Sequence, residues 1–425
     1  MTLSLYIILL LFLLVIARNK FGRWTNVVSV FSFIWFGITG FASLGVFGYR
    51  IPNLTTNIYI VTYVLIVNLI ILFFSTGKTD QCEKSYLEME PINNAFLIET
   101  IVLLLLSPSI MNAVRVFATS RSFVAVRLSY FRGDYLSSPF AGLLFKQIPI
   151  GMLQGLIIYH VFYSFETKRY KALAVAVFNT VLITVVNGGR YAIMLLIYSI
   201  LILWMTNHIS LSDSKWINKY RKSIKRTVII ILLAMVALTV NRGQVIYRSV
   251  IGYFSGSISF LDYIVQNPQL FELDQPLHGY LTFGFILEPI VFLLKYLRIT
   301  DAKIPSYYFN IVGQNYYNVG NGTQTHYMNA NTTIIYHFIR DFGFLGIIIG
   351  ALLVGTLTVL FYNRWKKKND RFAGMLFIYM CNVLFNSIMT NQLFANTPLF
   401  VFFAIYLCTH LNKTQISFKF GKKRR

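Results

Sequence analysis

Long apolar runs recur along almost the whole chain, and short polar stretches that carry most of the charge separate them. A helix needs about 20 apolar residues to cross the roughly 30 Å hydrocarbon layer of a membrane. Eleven runs approach that length, although some are short for a full span. These runs occupy residues 2–16, 27–47, 57–75, 95–111, 143–164, 172–186, 191–206, 227–240, 342–362, 372–390 and 398–411. Residues 279–297 are apolar enough for a further span or an interfacial helix, so the chain is expected to be an all-α polytopic membrane protein with about eleven transmembrane helices, in a range of ten to twelve.

Basic residues are distributed unevenly between the polar stretches. Lys and Arg that flank a span remain in the cytoplasm during membrane insertion. Six alternate loops hold 25 of the 38 basic residues and are therefore predicted to be cytoplasmic. These loops are 17–26, 77–94, 166–171, 207–226, 363–371 and 412–425. The first run, without a basic n-region or a small-residue cleavage site, is predicted to be a retained span, which puts the N-terminus outside and the basic C-terminus in the cytoplasm.

This orientation divides the chain into three parts. Residues 1–240 carry eight helices and an outer loop at 112–142. Residues 241–341 form one large outer loop, and 342–425 hold the last three helices and the cytoplasmic tail. A membrane protein can do without a polar outer loop of that length, so its presence indicates where the function lies.

Composition excludes several classes of protein. Hydrophobic residues make up 56% of the chain, charged residues only 12%, and the mean hydropathy is +0.61, whereas a soluble domain has about 25% charged residues. The net charge of +23 would suggest a nucleic-acid partner in a soluble protein, but here the positive-inside rule explains it, and none is expected. The three cysteines, Cys82, Cys381 and Cys408, form neither a CxxC nor a Cys/His cluster. Without those clusters or a Walker, HExxH or GxSxG motif, the sequence indicates no metal and no cofactor.

The kind of basic residue differs between the two sides. On the predicted cytoplasmic side 16 of 25 are lysine, whereas 10 of the other 13 are arginine. The planar guanidinium group binds phosphate or carboxylate in a bidentate manner, which an ammonium group cannot do. Seven acidic residues on the outer side leave about six positive charges there without an acidic partner. This excess predicts an anionic ligand on the outer face.

Two candidate sites precede the large loop. Asn187-Gly-Gly-Arg190 forms a tight outer turn between two apolar runs, and an arginine at the membrane boundary is a functional candidate by default. The alternative is that Arg190 reaches lipid headgroups. In the loop 112–142, Arg127 and Arg132 lie among tyrosine and phenylalanine residues and are candidates for substrate contact, with headgroup contact again as the alternative.

The large loop supplies the remaining candidates. Arg242 and Arg248 open it and can bind an anion or pair with acidic residues of the same loop. His326 lies in a Thr/Asn-rich stretch where the loop returns to the membrane. A histidine there can accept a proton from a sugar hydroxyl, and Asn329 and Asn331 can orient it or hold hydroxyl groups. The alternative is a surface histidine in a flexible loop.

Together these features resemble the bacterial oligosaccharide repeat-unit polymerases, the O-antigen and capsule polymerases of the Wzy type, which are similar to the O-antigen ligases. The resemblance rests on about eleven to twelve spans, on the Gly-Gly-Arg190 turn that opens a helix, and on one large outer loop late in the chain. It also rests on the return Asn329-Ala-Asn-Thr followed by Arg340-Asp-Phe-Gly. The arginine-plus-glycine repeat of some members is not found in this sequence.

The resemblance implies a metal-independent glycosyltransferase with a GT-C-like fold in the bacterial inner (plasma) membrane. Such an enzyme joins undecaprenyl-pyrophosphate-linked oligosaccharide units on the outer face into a surface polysaccharide. A hydroxyl of one unit attacks the anomeric carbon of another chain, and the lipid pyrophosphate leaves. Arg190, Arg242 and Arg248 would stabilise the leaving group, and His326 would assist the hydroxyl. The implied substrate-binding residues are Arg127, Arg132, Asn329, Asn331, Arg340 and Asp341.

Other functions remain open on the sequence. An O-antigen ligase would use the same donor with a different acceptor. A flippase or transporter of lipid-linked oligosaccharides would be expected to have short outer loops and charges within its spans. The expected partners are the undecaprenyl-linked oligosaccharide and membrane lipids, with a chain-length regulator protein as a further candidate.

Overall fold

The computed structural model describes residues 2–77, 93–133, 135–136, 138–167, 169–206, 246–322, 324–329, 331–394 and 397–410. These ranges are mostly helical, with one short β-hairpin. The helices, numbered in chain order, are α1 (Thr2–Phe21), α2 (Val27–Ala42), α3 (Leu54–Phe74), α4 (Asn93–Ser120), α5 (Phe123–Arg132), α6 (Pro139–Thr167), α7 (Tyr170–Asn187), α8 (Tyr191–Met205), α9 (Ile246–Gln266), α10 (Gly284–Tyr296), α11 (Pro305–Gln314), α12 (Ile334–Lys368), α13 (Arg371–Asn386) and α14 (Thr397–His410). The hairpin strands are β1 (Tyr317–Asn318) and β2 (Tyr327–Met328).

The predicted apolar runs coincide with helices. Five of them, α1, α3, α4, α6 and α12, are long and apolar enough to cross a membrane. Shorter apolar helices are α2, α7, α8, α13 and α14. By length and composition the chain is therefore an all-α membrane protein. The predicted run at 227–240 lies outside the described residues, so the total of eleven spans stays a prediction.

Helix α6 lies at the centre of the bundle, where it packs against α14, α7 and α8. Of its most apolar stretch, 61% is buried, against 17% in α1. A Cβ atom added at Gly155 would lie 2.7 Å from the backbone oxygen of Val401, so the small residue allows α14 to approach closely. The outward faces of α1 and α4 expose Phe12, Leu104 and other large apolar side chains, as expected for helices that face lipid.

The region predicted as the outer loop 112–142 is largely helical. Helix α4 continues nine residues beyond the predicted end of its span, to Ser120, and α5 follows immediately. Arg127 and Arg132 therefore lie on a helix and not on a loop. The reason is local: Phe123 to Arg132 contains no proline and no glycine, and Gly133, with a φ of +70°, ends the helix in the left-handed conformation.

Residues 246–333, here called the cap, correspond to most of the predicted outer loop, and they too are mainly helical. The cap contains α9, α10, α11 and the hairpin. Helix α10 has 13 residues and is thus about 20 Å long, which is short of the hydrocarbon thickness. The stretch predicted as a further span or interfacial helix is therefore a short helix of the cap.

Helix α12 connects the cap to the bundle and is kinked at its start. Phe342 and Gly343 leave the helical conformation, and Gly343 takes a φ of +59° that favours glycine. The kink separates the first two turns, which carry Arg340 and Asp341, from the long apolar remainder that packs on α3. These two residues are helical and not part of a loop.

Candidate functional site on the cap

The hairpin of the cap forms a compact loop around His326. Tyr317 pairs with Met328, and the backbone N–H of Val319 donates to the carbonyl of His326 at 2.8 Å. Within the loop, the Oδ1 atom of Asn318 accepts hydrogen bonds from the backbone N–H groups of Gly320 at 3.0 Å and His326 at 3.1 Å. One asparagine side chain thus closes the loop in the way typical of this residue type.

The hairpin docks on the short segment 45–50 that joins α2 to α3. Backbone N–H groups of Arg50 and Asn321 donate to the carbonyls of Val319 at 3.0 Å and Gly48 at 2.9 Å, respectively. A side chain at Gly320 would collide with the carbonyl of Gln324. The segment also holds Phe47 at a φ of +61°, a conformation that is costly for a bulky residue and is maintained only where the surroundings impose it.

That strained turn orients the imidazole ring of His326. The Nε2 atom lies 2.7 Å from the carbonyl oxygen of Phe47, and the ring stacks on Tyr49 with 4.3 Å between centroids and 16° between planes. A carbonyl oxygen only accepts hydrogen bonds, so Nε2 carries the proton and Nδ1 is the basic nitrogen of the neutral ring. A carbonyl that selects the tautomer while an aromatic ring sets the plane is an arrangement suited to a general base.

Arg50 lies beside the hairpin and is held by a buried acid. Its Nε atom is 3.5 Å from Oδ2 of Asp262 on α9, and its Nη2 donates to Gln266 at 2.9 Å. Asp262, fully buried, also accepts from the backbone N–H of Asn53 at 2.7 Å and from the hydroxyl of Thr56 at 2.9 Å. A buried carboxylate is stable only when such donors compensate its lost hydration. Asp262 therefore joins α9 to the start of α3 and orients the guanidinium group of Arg50.

An open depression of about 480 Å³ lies between Arg50 and the hairpin loop. It is lined by Arg50, Ile51, Gly320, Asn321 and Gly322. In the same hairpin region, Tyr316 and Tyr327 are 69% and 64% exposed. Cationic, amide and aromatic groups of this kind are the chemistry that recognises an anion attached to a hydroxyl-rich molecule.

Two predicted binding residues of the return segment shape the backbone beside the hairpin. The Asn329 side chain donates from Nδ2 to the carbonyl of Gly313 at 3.1 Å, which ties the hairpin to the end of α11. Asn331 has a φ of +65°, in the left-handed region that asparagine tolerates better than most residues.

Arg340 and Asp341 lie beneath the cap. Arg340 donates to Oε2 of Glu272 at 2.8 Å and to the carbonyl of Gln275. Asp341 accepts from the backbone N–H of Leu281 at 3.0 Å and from that of Thr282. Both side chains are buried, so the structure uses them to hold residues 272–282 on α12, away from the depression.

Another buried acid joins two cap helices. Glu288 on α10 accepts the backbone N–H of Ser306 at 2.7 Å, at the N-terminus of α11. Burial raises the pKa of the Glu288 carboxyl above its usual value, and the hydrogen bonds from Ser306 partly oppose that rise. The packing of α10 on α11 therefore depends on the protonation of this carboxyl group.

The turn Asn187-Gly-Gly-Arg190 forms a separate group with α5. Gly188, at a φ of +58°, ends α7, and a Cβ atom there would lie 3.0 Å from Cβ of Arg127. The half-buried Arg190 follows at the N-cap position of α8. Arg127 places its guanidinium group 5.3 Å from the ring centre of Phe131, and Arg132 is exposed at the end of α5. The structure thus brings the predicted Arg127 next to the turn of Arg190.

Two predicted catalytic residues have no described side chain. Arg242 lies outside the described residues. Arg248 lies on α9, but its side chain is also outside the description. Their predicted roles stay predictions.

Sequence reasoning missed the residues that organise the depression. Arg50 is one of the ten arginines outside the predicted cytoplasmic loops, and Asp262 is one of the acidic residues that could pair with Arg242 or Arg248, but Tyr49 had no predicted role. The only available signal was Tyr49-Arg50 directly after a turn containing Gly45 and Gly48. Asp262 lies more than 200 residues away along the chain, so its contact with Arg50 needed the folded structure.

A second cavity, of about 380 Å³, opens at the opposite end of α3. Thr76, Tyr362 and Lys366 are among its lining residues, and none of the predicted site residues is. Its polar groups bind helix ends: Lys366 donates to the carbonyl of Thr206 at 3.0 Å, and the backbone N–H of Thr76 donates to Asn363 at 2.8 Å. The depression on the cap is therefore the better candidate for the functional site.

Comparison with protein-family models, with curated proteins and with solved structures finds no match in any of the three. The functional proposal therefore rests on the residues and geometry of the chain itself.

Proposed function

We propose that the chain is a membrane glycosyltransferase that joins polyprenyl-diphosphate-linked oligosaccharide units into a surface polysaccharide, with the cap on the outer face. Two observations carry this proposal: the depression on the cap, which Arg50 and Asn321 line, and the oriented imidazole of His326 on the same hairpin. The bacterial polymerases of the Wzy type, which the sequence resembles, perform this chemistry. A GT-C-like arrangement of the helices belongs to the proposal.

The chemical step follows from the groups present. The acceptor hydroxyl loses its proton to Nδ1 of His326 as its oxygen bonds to the anomeric carbon of the donor sugar. The bond between that carbon and the diphosphate oxygen breaks, and the lipid diphosphate leaves with the bonding electrons. Fixed guanidinium groups stabilise this charge, and the loss of one such donor typically lowers a rate about a hundredfold or more.

The arginines are assigned three roles. Arg50, oriented by Asp262, contacts the anionic or hydroxyl-rich part of the substrate at the depression. Arg127 and Arg190, in the separate group beside α5, bind the lipid diphosphate before the reaction. Arg242 and Arg248, which open the large loop, stabilise the leaving group.

Deletion of the gene in its bacterial host tests the polymerase function. We expect the ladder of polysaccharide lengths on a gel to disappear while the single repeat unit is still made and attached. A retained ladder would contradict the proposal. Loss of even the single unit would instead favour a ligase or a flippase, the two alternatives that use the same lipid-linked unit.

Replacement of His326 by Gln tests the catalytic assignment. Because glutamine cannot act as a base, we expect polymer formation to fall at least about a hundredfold at equal protein level in the membrane. The matched control is His278→Gln, which changes an exposed histidine of the same cap and should leave the ladder intact. Near-normal chain lengths in the His326 variant would remove it from the mechanism.

A further inference from the structure

Three polar side chains meet inside the helix bundle, far from the cap depression. Glu99 on α4, His160 on α6 and Asn179 on α7 are 9%, 6% and 0% exposed. The Nδ2 atom of Asn179 donates to Oε1 of Glu99 at 2.7 Å, and Nε2 of His160 lies 3.5 Å from Oε2 of the same carboxyl group. Both α4 and α6 are long enough to cross a membrane. Ionisable residues in such helices are rare and usually functional.

Several polar atoms of this cluster remain without hydrogen bonds. Both ring nitrogens of His160, Oδ1 of Asn179 and Oγ of Ser164 are buried and have no hydrogen-bond partner within the described ranges. Ser164 lies one helical turn from His160 on the same face of α6. Buried polar atoms in folded proteins nearly always have a partner, which is often water. The cluster therefore has donor and acceptor atoms available to bind and transfer a proton.

Charge considerations show which species fits this cluster. An isolated ion in an apolar interior is strongly disfavoured because it loses its hydration. When Glu99 and His160 share one proton, the pair has no net charge. This holds for a protonated carboxyl beside a neutral imidazole and for a carboxylate beside an imidazolium. The proton can move within the pair without a change in net charge. A metal ion would lack ligands, because no group of three His, Cys, Asp or Glu side chains that could hold one occurs in the described part of the chain.

Further titratable groups lie between the cluster and the C-terminal end of α6. Tyr159 contacts the His160 ring edge to face, with centroids 5.4 Å apart, and Tyr163 follows one turn later. At the end of the helix, Glu166 accepts from Arg371 of α13 at 2.9 Å.

Two further groups face the cluster from neighbouring elements. Arg169, before α7, donates to the hydroxyl of Tyr163 at 3.4 Å. The thiol of Cys408 on α14 also lies near Glu99. Polar groups therefore lead from the cluster to the membrane face where α6 ends at Thr167, which the basic loop 166–171 marks as cytoplasmic.

We propose that Glu99, His160 and Asn179 form a proton-binding site within the membrane, which exchanges its proton with the aqueous phase at the end of α6. Asn179 holds the carboxyl group in place, and His160 shares the proton with it. Gain or loss of the proton changes the charge between α4 and the pair α6–α7. The protonation state therefore sets how tightly α4 packs on that pair, and this gives the chain a proton-dependent conformational step.

Infrared difference spectroscopy of the full chain in lipid vesicles tests this proposal. The buffer is switched between mildly alkaline and mildly acidic while the carboxyl stretching band is recorded. We expect acidification to produce a carboxyl component that is absent from Glu99→Gln and shifted in His160→Gln. The control Glu288→Gln, which removes a buried acid of the cap, should keep this component and lose a different one.

Two outcomes would overturn the site. One is a difference spectrum of Glu99→Gln identical to that of the native protein. The other is a native protein in which neither a carboxyl band that depends on Glu99 nor an imidazolium band that depends on His160 appears on acidification. If Glu99→Gln does not fold, Glu99→Asp keeps a carboxyl group and should show the band at a shifted position, whereas an identical band would contradict the assignment. The site does not depend on the polymerase proposal, because the measurement needs no substrate.

Discussion

Two arginine–carboxylate pairs hold the cap, and they are built in opposite ways. In the pair Arg50–Asp262 the arginine side chain is 33% exposed and the acid is fully buried, whereas in Arg340–Glu272 the arginine is 3% exposed and the acid is 48% exposed. In each pair, the buried partner also makes hydrogen bonds to backbone groups of the protein. The first pair leaves a guanidinium group facing the depression, and the second leaves none. The same ionic contact thus makes a candidate binding site in one place and a structural attachment in the other.

The largest effect on stability should come from the contacts by which Arg340 and Asp341 hold residues 272–282 on α12. Asp341→Ala leaves the backbone N–H groups of Leu281 and Thr282 buried without an acceptor, which we expect to cost about 3 kcal/mol of unfolding free energy. Thermal unfolding in detergent measures the loss. Asp341→Asn, which keeps one acceptor oxygen, should lose less, and equal loss in the two variants would contradict this explanation.

Asp262→Asn should combine a stability loss with a loss of function. The amide keeps one acceptor oxygen for Asn53 and Thr56 but removes the charge that orients Arg50. We expect a loss of about 2 kcal/mol in unfolding free energy together with shorter polysaccharide chains. Melting curves and polymer gels recorded on the same variant separate the two effects. A variant with native chain lengths would show that Asp262 has only a structural role.

Arg50→Lys should affect function with little change in stability. Its guanidinium group is partly exposed, and removal of such an ion pair typically changes stability by at most about 1 kcal/mol. Lysine keeps the charge but cannot bind phosphate in a bidentate manner, so polymer formation should fall roughly tenfold, which corresponds to about 1.4 kcal/mol. Arg340→Lys is the contrasting variant, with lower stability and native activity per folded molecule. The comparison fails if the two variants behave alike.

The smallest effect is a pH dependence at Glu288. Because burial raises the pKa of this carboxyl in the folded protein, its contribution to stability is full below the unfolded pKa and is lost as the pH rises through the folded pKa. The melting temperature of the native protein should therefore fall over that pH window. In Glu288→Gln this part of the fall should be absent, whereas Asp274→Asn, at an exposed position, should retain it.

Several features of the fold followed directly from the sequence. Apolar runs of sufficient length predicted the helices of the bundle, because residues in lipid must satisfy their backbone hydrogen bonds within the helix. The predicted loops were less accurate: α5 and the cap helices are short amphipathic or mixed segments, whose helical form depends on packing against neighbours. For the site, His326 could be proposed from its polar surroundings. Its contact with Phe47, 279 residues away, could not.

The sequence by itself determined that this is a helical membrane protein with an arginine-rich part. The length of each apolar run and the sign of each charged residue are local properties, which are evident from short stretches of the sequence. Tertiary structure alone decided which arginines pair with buried acids, which face open space, and that Glu99 meets His160. These outcomes depend on burial and on contacts between distant residues. The free energy of a charged group changes more with its burial than with its neighbours along the chain.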